Sequence, residues 1–358
     1  MRYLFLPLLL ASFVTACSAG PREVEVSFTH DSITLAGTLS LPDGSGPFPA
    51  IVLVSGSGPQ NRDEEIVGFR PFALIADSLS RAGVAVLRYD DRGIGKSTGK
   101  FTTATTDDFA ADAEAALRYL RSRADIRAAQ VGLLGHSEGG LVAAMLGARD
   151  GAPAFIVLMA GPAVSGGEVV IDQIRAIGRA AGQDSATIEK GVAAQRLIYR
   201  ALAAGDERMW DTVRVAMRPL VRAQIAALPA AQRAAITDTA VAVDAAITQQ
   251  LFALRAGGPW FRRFVTYDPA PDLARVRGPV LALFGSKDMQ VSPSLNRAAM
   301  EHALAANSHA TIRVIDGANH LFQPARSGMV EEYASLPKHF APTFLSTLVA
   351  WVVEQGKR

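Results

Sequence analysis

The stretch Val131-Gly132-Leu133-Leu134-Gly135-His136-Ser137-Glu138-Gly139-Gly140 decides how the chain is read. Its apolar first part has the look of a buried strand, and the small residues of 139–149 continue as a helix. Between them lies G-x-S-x-G. A serine on a sharp strand-to-helix turn occupies a strained backbone, and bulky neighbours would clash there, hence Gly135 and Gly139. The turn lifts the Ser137 hydroxyl above the sheet edge and aims a helix N-terminus at any negative charge that develops beside it. In this setting Ser137 is a candidate nucleophile. The alternative reading of the same residues is a glycine-rich turn with an incidental serine.

Outward from this turn, strands and helices alternate. Residues Val24, Val26 and Phe28, then Ile33, Leu35 and Leu39, form two strands about a turn at 30–32. Buried strands follow at 50–54, 84–87, 131–134 and 155–159, separated by helices at 72–82, 106–121 (capped by Thr106 or Asp107) and 139–149. This spacing implies βαβ units and a mostly parallel sheet flanked by helices. The pattern then breaks. Residues 166–263 carry only Ala-, Arg- and Gln-rich helical stretches, after which strands resume at 280–284 and 310–315 and a last helix occupies 341–354. The expected architecture is an α/β core in two parts, 24–164 and 266–358, with a helical cap at 165–265 inserted after the strand that follows the elbow helix. The cap's apolar residues Ile171, Ile174, Leu197, Trp210, Leu251, Phe252, Trp260 and Phe261 either line an acyl pocket or pack the insertion onto the core; packing is the preferred reading.

Composition narrows the partners. Lys and Arg total 36 against 34 Asp and Glu, and no basic stripe alternates with aromatics, so a nucleic-acid surface is not indicated. A small-molecule substrate is expected, with no cofactor and no metal-ligand cluster; the sequence does not speak to oligomeric state. The N-terminus stands apart. Arg2 and the apolar run 4–13 have the shape of an export signal too short to span a bilayer. It ends in Val14-Thr15-Ala16-Cys17, which resembles a bacterial lipobox, and Cys17 is the single cysteine of the chain. The expectation is a signal peptide at 1–16, a lipidated linker at 17–23 and attachment through Cys17 to the periplasmic face of the outer membrane, because Ser18 rather than Asp follows the cysteine. The alternative is an ordinary signal cleaved near Ala19, with a periplasmic or secreted product.

A serine hydroxyl needs a base. Of the six histidines, His320 lies in Asp316-Gly317-Ala318-Asn319-His320, just past the last strand and on the same sheet edge as the elbow. His136 adjoins Ser137, so its side chain is expected to point elsewhere. Asp288, in Gly285-Ser286-Lys287-Asp288 after the strand at 280–284, is the acid expected to orient His320; Asp316 is the competitor, but too close to its own strand end. The order Ser, Asp, His is one known arrangement of such triads. Two backbone donors are expected for an oxyanion: the N–H of Glu138 and that of Ser57, in the loop Ser55-Gly56-Ser57-Gly58-Pro59-Gln60-Asn61-Arg62-Asp63-Glu64. Arg88-Tyr89-Asp90-Asp91-Arg92-Gly93-Ile94-Gly95-Lys96-Ser97, dense in Gly and charge, reads as a tight turn that braces the site by salt bridges.

Together these segments resemble the α/β-hydrolase superfamily over nearly the whole chain after Pro21. D-x-R-G-x-G-x-S at 90–97, G-H-S-E-G at 135–139, G-x-x-D at 285–288 and G-x-x-H at 317–320 resemble its serine aminopeptidase-like branch. The loop G-S-G-P-x-x-R-D-E at 56–64 is similar to that of a group of bacterial carboxylesterases, although Ser55-Gly56 stands where many relatives carry His-Gly. The resemblance implies a serine esterase acting through an acyl-serine intermediate on a small to medium, partly apolar ester. Two other readings stay open. One is a peptidase of the same architecture, for which Glu64, Glu65 or Glu168 would have to bind a free amine. The other is a lipid-anchored binding protein on an inactive fold.

Overall fold

The computed structural model describes residues 21–256 and 258–357; the signal-peptide and Cys17 readings therefore lie outside the described residues. In chain order the elements are β1 (Arg22–His30), β2 (Ile33–Leu41), β3 (Phe48–Val54), α1 (Pro71–Arg81), β4 (Ala85–Tyr89), α2 (Thr106–Arg121), β5 (Ile126–His136), α3 (Glu138–Gly147) and β6 (Ile156–Met159). The cap follows as α4 (Gly166–Ala180), α5 (Ser185–Ala204), α6 (Arg208–Ala226), α7 (Ala230–Ala234), α8 (Thr239–Ala256) and α9 (Gly258–Thr266). The core closes with α10 (Ala270–Leu273), β7 (Val280–Gly285), α11 (Pro293–Ala303), β8 (Ala310–Ile315) and α12 (Phe344–Gln355).

All eight strands form one sheet in the order β1-β2-β4-β3-β5-β6-β7-β8. The β1–β2 and β2–β4 pairs are antiparallel, and every later pair is parallel. Side chains alternate across each strand. Val52, Val54 and Leu133 enter one apolar layer with α2, α3 and α11, whereas Ile51, Leu53 and Leu134 enter the other with α1 and α12. A sheet buried on both faces accounts for the continuous apolar runs. The cap has its own core, in which Trp210 and Leu251 are buried with Ile198 and Val213.

Three sequence expectations are corrected. Helix α2 is capped by Thr105, not by Thr106 or Asp107: the Asp108 carboxylate turns back to accept from the Thr105 N–H (2.8 Å) and Oγ1 (2.9 Å), which leaves Thr106 as the first helical residue. Strand β5 begins at Ile126; the exposed Arg127, Ala128 and Ala129 that follow break the apolar run the sequence shows from Val131. Helix α12 starts at Phe344 rather than 341, because Thr343 takes a left-handed φ of 70° that a helix cannot continue through.

The segment after β4 is a brace, as its charge pattern suggests. Asp112 of α2, 1% exposed, receives Arg92 Nε and Nη2, both at 2.8 Å, and His30 Nδ1 at 3.0 Å. A buried carboxylate that loses its cation pays a large desolvation penalty. Arg92→Met should therefore lower stability by about 3 kcal/mol, read from the urea midpoint at constant slope; a change below about 0.5 kcal/mol would mean that the pair is dispensable.

Candidate active site

Ser137 occupies φ 52° and ψ −115°, a region that residues with a Cβ avoid. Its N–H donates to Met159 O at 2.9 Å and its carbonyl accepts from Gly140 N at 2.9 Å, so β6 and the first turn of α3 hold the turn shut. The flanking glycines are steric necessities. A Cβ on Gly135 would overlap the Gly139 carbonyl, and one on Gly139 would overlap the Val54 carbonyl.

His320 and Ser137 line one cavity of about 240 Å³ at the carboxyl edge of the sheet. His320 Nδ1 lies 2.8 Å from Asp288 Oδ2, and Asp288 Oδ1 accepts from the N–H groups of Gln290 (2.8 Å) and Val291 (2.9 Å). Asp288 is thus locked by its own loop and His320 by Asp288, which leaves Nε2 as the ring nitrogen free to act on Ser137. The competing Asp316 is exposed and accepts from Ser286 Oγ at 3.1 Å, away from the ring.

The loop after β3 runs beside Ser137. Its Gly56 N–H is committed to Glu64 Oε1 at 2.6 Å, so the next N–H along the loop, that of Ser57, is the one available to an anion. Carboxylates hold this loop from behind. Asp91 accepts from Gln60 N (2.9 Å) and Ser55 Oγ (3.0 Å), and Asp90 accepts from Arg62 N (2.9 Å) and Nη2 (2.8 Å). Such backbone groups have no ladder partner and must find an acceptor once buried.

A family model for serine aminopeptidase, S33, matches residues 69–323. The chain belongs to this S33 family. It is 28% identical over 331 residues to Esterase EstD of Thermotoga maritima, which covers 92% of this chain and 68% of that protein. Among solved structures, the Pyrococcus furiosus esterase Pf2001 matches with a TM-score of 0.56 at 15% identity, covering 98% of this chain and 96% of that one. The proline iminopeptidase of Mycobacterium smegmatis matches with a TM-score of 0.52 at 16% identity, covering 93% and 99%. Such distant likenesses show the α/β-hydrolase fold, which an esterase and a peptidase share; the chemistry has to be argued from the site.

In this S33 site, His136 departs from the sequence expectation. Its side chain points not away but into the cavity lining, its ring 4.7 Å from that of His320. The left-handed turn at Ser137 breaks the alternation of a strand, so two consecutive side chains reach the same edge. His136 Nε2 lies 3.0 Å from the His320 carbonyl and Nδ1 lies 2.7 Å from Glu64 Oε1. Burial alone would push its pKa down, but the Glu64 carboxylate and the His320 carbonyl outweigh burial and raise it. The His136 ring, set between carboxylate and carbonyl, therefore ties the loop after β3 to the His320 loop. Asn319 was also missed: its Oδ1 accepts from Leu321 N (3.0 Å) and Gln323 N (2.9 Å), shaping the bend that presents His320.

Of the cap residues first named, the larger part packs rather than lining the cavity, as preferred. Ile171, Trp210 and Leu251 are buried in packing, Phe252 is 73% exposed, and the cavity takes Val169, Gln173 and Phe264 instead.

Burial pushes the Asp91 carboxyl up to about 7, against the hydrogen bonds from Gln60 and Ser55 that lower it. A carboxyl raised in the fold binds more protons folded than unfolded. Its stabilisation is complete below about pH 4 and is lost as pH rises through about 7. Asp91→Asn removes that loss. The melting temperature of the variant minus that of the wild type should be more favourable at pH 8 than at pH 5, and a pH-independent difference would contradict this role.

Proposed function

We propose that the protein is a serine esterase that cleaves small to medium, partly apolar carboxylic esters through an acyl-Ser137 intermediate. The observation that carries the proposal is the opening of Ser137 and His320 onto one cavity, with His320 fixed at 2.8 Å from Asp288. In this mechanism His320 Nε2 takes the Ser137 proton as Oγ attacks the ester carbonyl, and Asp288 stabilises the imidazolium. The tetrahedral oxyanion accepts from the N–H groups of Glu138 and Ser57. The alcohol leaves with the proton from His320. Water then attacks the acyl group, His320 takes its proton, and the carboxylic acid departs from a regenerated Ser137.

The cavity favours a neutral substrate. Among the described residues its lining mixes Ile66, Val169, Phe264 and Leu321 with Gln60, Gln173 and Gln290, and holds Glu64 but no Lys or Arg. The carboxylates that a peptidase would aim at a free amine are engaged elsewhere. Glu65 pairs with Arg70 at 3.0 Å and Glu168 with Arg196 at 2.9 Å. Glu64, which lines the cavity, gives Oε1 to the Gly56 N–H and to His136. An intact Ser-His-Asp set speaks against an inactive binding protein.

Hydrolysis of p-nitrophenyl acetate, butyrate and octanoate tests the proposal. Ser137→Ala should lower kcat by up to roughly 10⁶ and Asp288→Asn by roughly 10⁴, by analogy with other triads. The short esters should be preferred over octanoate, given a cavity of about 240 Å³. Full activity in Ser137→Ala would overturn the assignment, and turnover of large charged esters alone would overturn the substrate class.

We also infer attachment to the outer membrane through a lipidated Cys17, supported by the small residues before it and by the want of any other cysteine. Expressed in a Gram-negative host, the mature N-terminus should carry acyl mass on Cys17, and Cys17→Ser should move the protein to the soluble fraction. An unmodified N-terminus at residue 19 or 20 would contradict this.

A further inference from the structure

Glu138 follows the nucleophile, and its N–H faces the proposed oxyanion, but its side chain is not accounted for by that chemistry. The carboxylate is 3% exposed. Oε2 accepts from Ser57 Oγ at 2.8 Å, while Oε1 accepts from Thr106 Oγ1 at 2.7 Å and from Trp260 Nε1 at 2.8 Å. The three donors come from three places: the loop after β3, the first residue of α2, and α9 of the cap. None of them is a cation. The carboxyl group is buried among neutral hydrogen-bond partners, so each one matters to the placement of the others. Burial raises the pKa of Glu138, against the bonds from Thr106, Ser57 and Trp260 that lower it.

Helix α9 is the part of the cap tied most directly to this region. Phe264 lines the cavity, and Trp260 stacks on Phe264 with ring centroids 5.4 Å apart and planes 13° from parallel. Arg263 anchors the helix to Asp107 of α2 through contacts of 2.6 and 2.9 Å. Trp260 thus supports a wall of the pocket with its ring and holds Glu138 with its N–H. Ser57 sits between Gly56 and Gly58, is exposed, and has the Glu138 carboxylate as the anchor of its side chain. Glycines on both sides give this peptide little stiffness of its own.

We propose that the Glu138 carboxylate is a positioning group that couples the cap to the oxyanion site, holding Ser57 and its N–H in register while Trp260 is docked on it. The proposal rests on the esterase reading of Ser137. Substrate that packs against Phe264 steadies α9, α9 steadies Glu138, and Glu138 steadies the second oxyanion donor. Binding in the pocket is thereby linked to transition-state stabilisation, with no contact between Glu138 Oε and the substrate.

The test compares Trp260→Phe, Ser57→Ala and the double variant on p-nitrophenyl butyrate, with active sites counted by fluorophosphonate labelling of Ser137. Trp260→Phe keeps a ring on Phe264 and removes the N–H. The kcat per labelled site should fall roughly tenfold, a fraction of what loss of a whole oxyanion donor costs, with KM held within about twofold. Ser57→Ala should behave alike, and the double variant should be no worse than the poorer single, because both cut the same linkage. An unchanged kcat in Trp260→Phe, a rise confined to KM, or losses that multiply in the double variant would each overturn the coupling. Should Trp260→Phe fail to fold, Glu138→Gln tests the same line: it keeps the shape, turns one acceptor into a donor, and should lower kcat with KM held, whereas an unchanged kcat overturns the coupling. Absence of labelling in the wild type would instead overturn the reading of Ser137, and the coupling with it.

Discussion

The left-handed backbone at Ser137 is the constraint on which the site depends. An L-residue at φ 52° stays there only if the surroundings over-determine it. Here β5 delivers the chain at the centre of the sheet, β6 takes the Ser137 N–H, and α3 departs through a gap that admits glycine alone at positions 135 and 139. The same turn puts His136 and Ser137 on one edge. It also places the Glu138 N–H at a helix start, where no residue of its own helix can accept from it. Nucleophile, buried support and anion donor are thus three consecutive residues of one strained turn.

Around that turn, loops replace ladders, and loop N–H groups need acceptors. Buried acids supply them. Glu64 takes Gly56, Asp91 takes Gln60, Asp90 takes Arg62, and Asp288 takes Gln290 and Val291. Each acid fixes loop backbone at the cost of desolvation, the cost that pushes the Asp91 carboxyl up to about 7. The His136–Glu64 pair joins two of these loops into one unit. A rigid edge of this kind can hold oxyanion donors in place before charge develops, which is where most of the rate advantage of such sites arises.

How much of this was legible in the sequence follows the range of the interaction. The strand, turn and helix about Ser137 are local, so the residues 131–149 announced them, and the positions of Asp288 and His320 followed from the ends of two further apolar strands. The cap showed as an interruption of alternation. What was hidden depends on approach in space. Glu64 and His136 are 72 residues apart, and Trp260 lies 122 residues from Glu138. Composition and period carry no trace of such pairings. The Thr105 cap was recoverable, since Thr105 and Asp108 stand at capping-box spacing with Asp in place of Glu. Adjacency to Ser137 does not turn His136 away from the site, because the left-handed turn at Ser137 breaks the alternation of the strand.

The most direct test of the account is mass spectrometry of the enzyme quenched during turnover of a slowly deacylating p-nitrophenyl ester. The account predicts one acyl group per chain, on the peptide that contains Ser137, with no adduct in Ser137→Ala. Acylation of any other residue, or turnover with no covalent species at all, would contradict it.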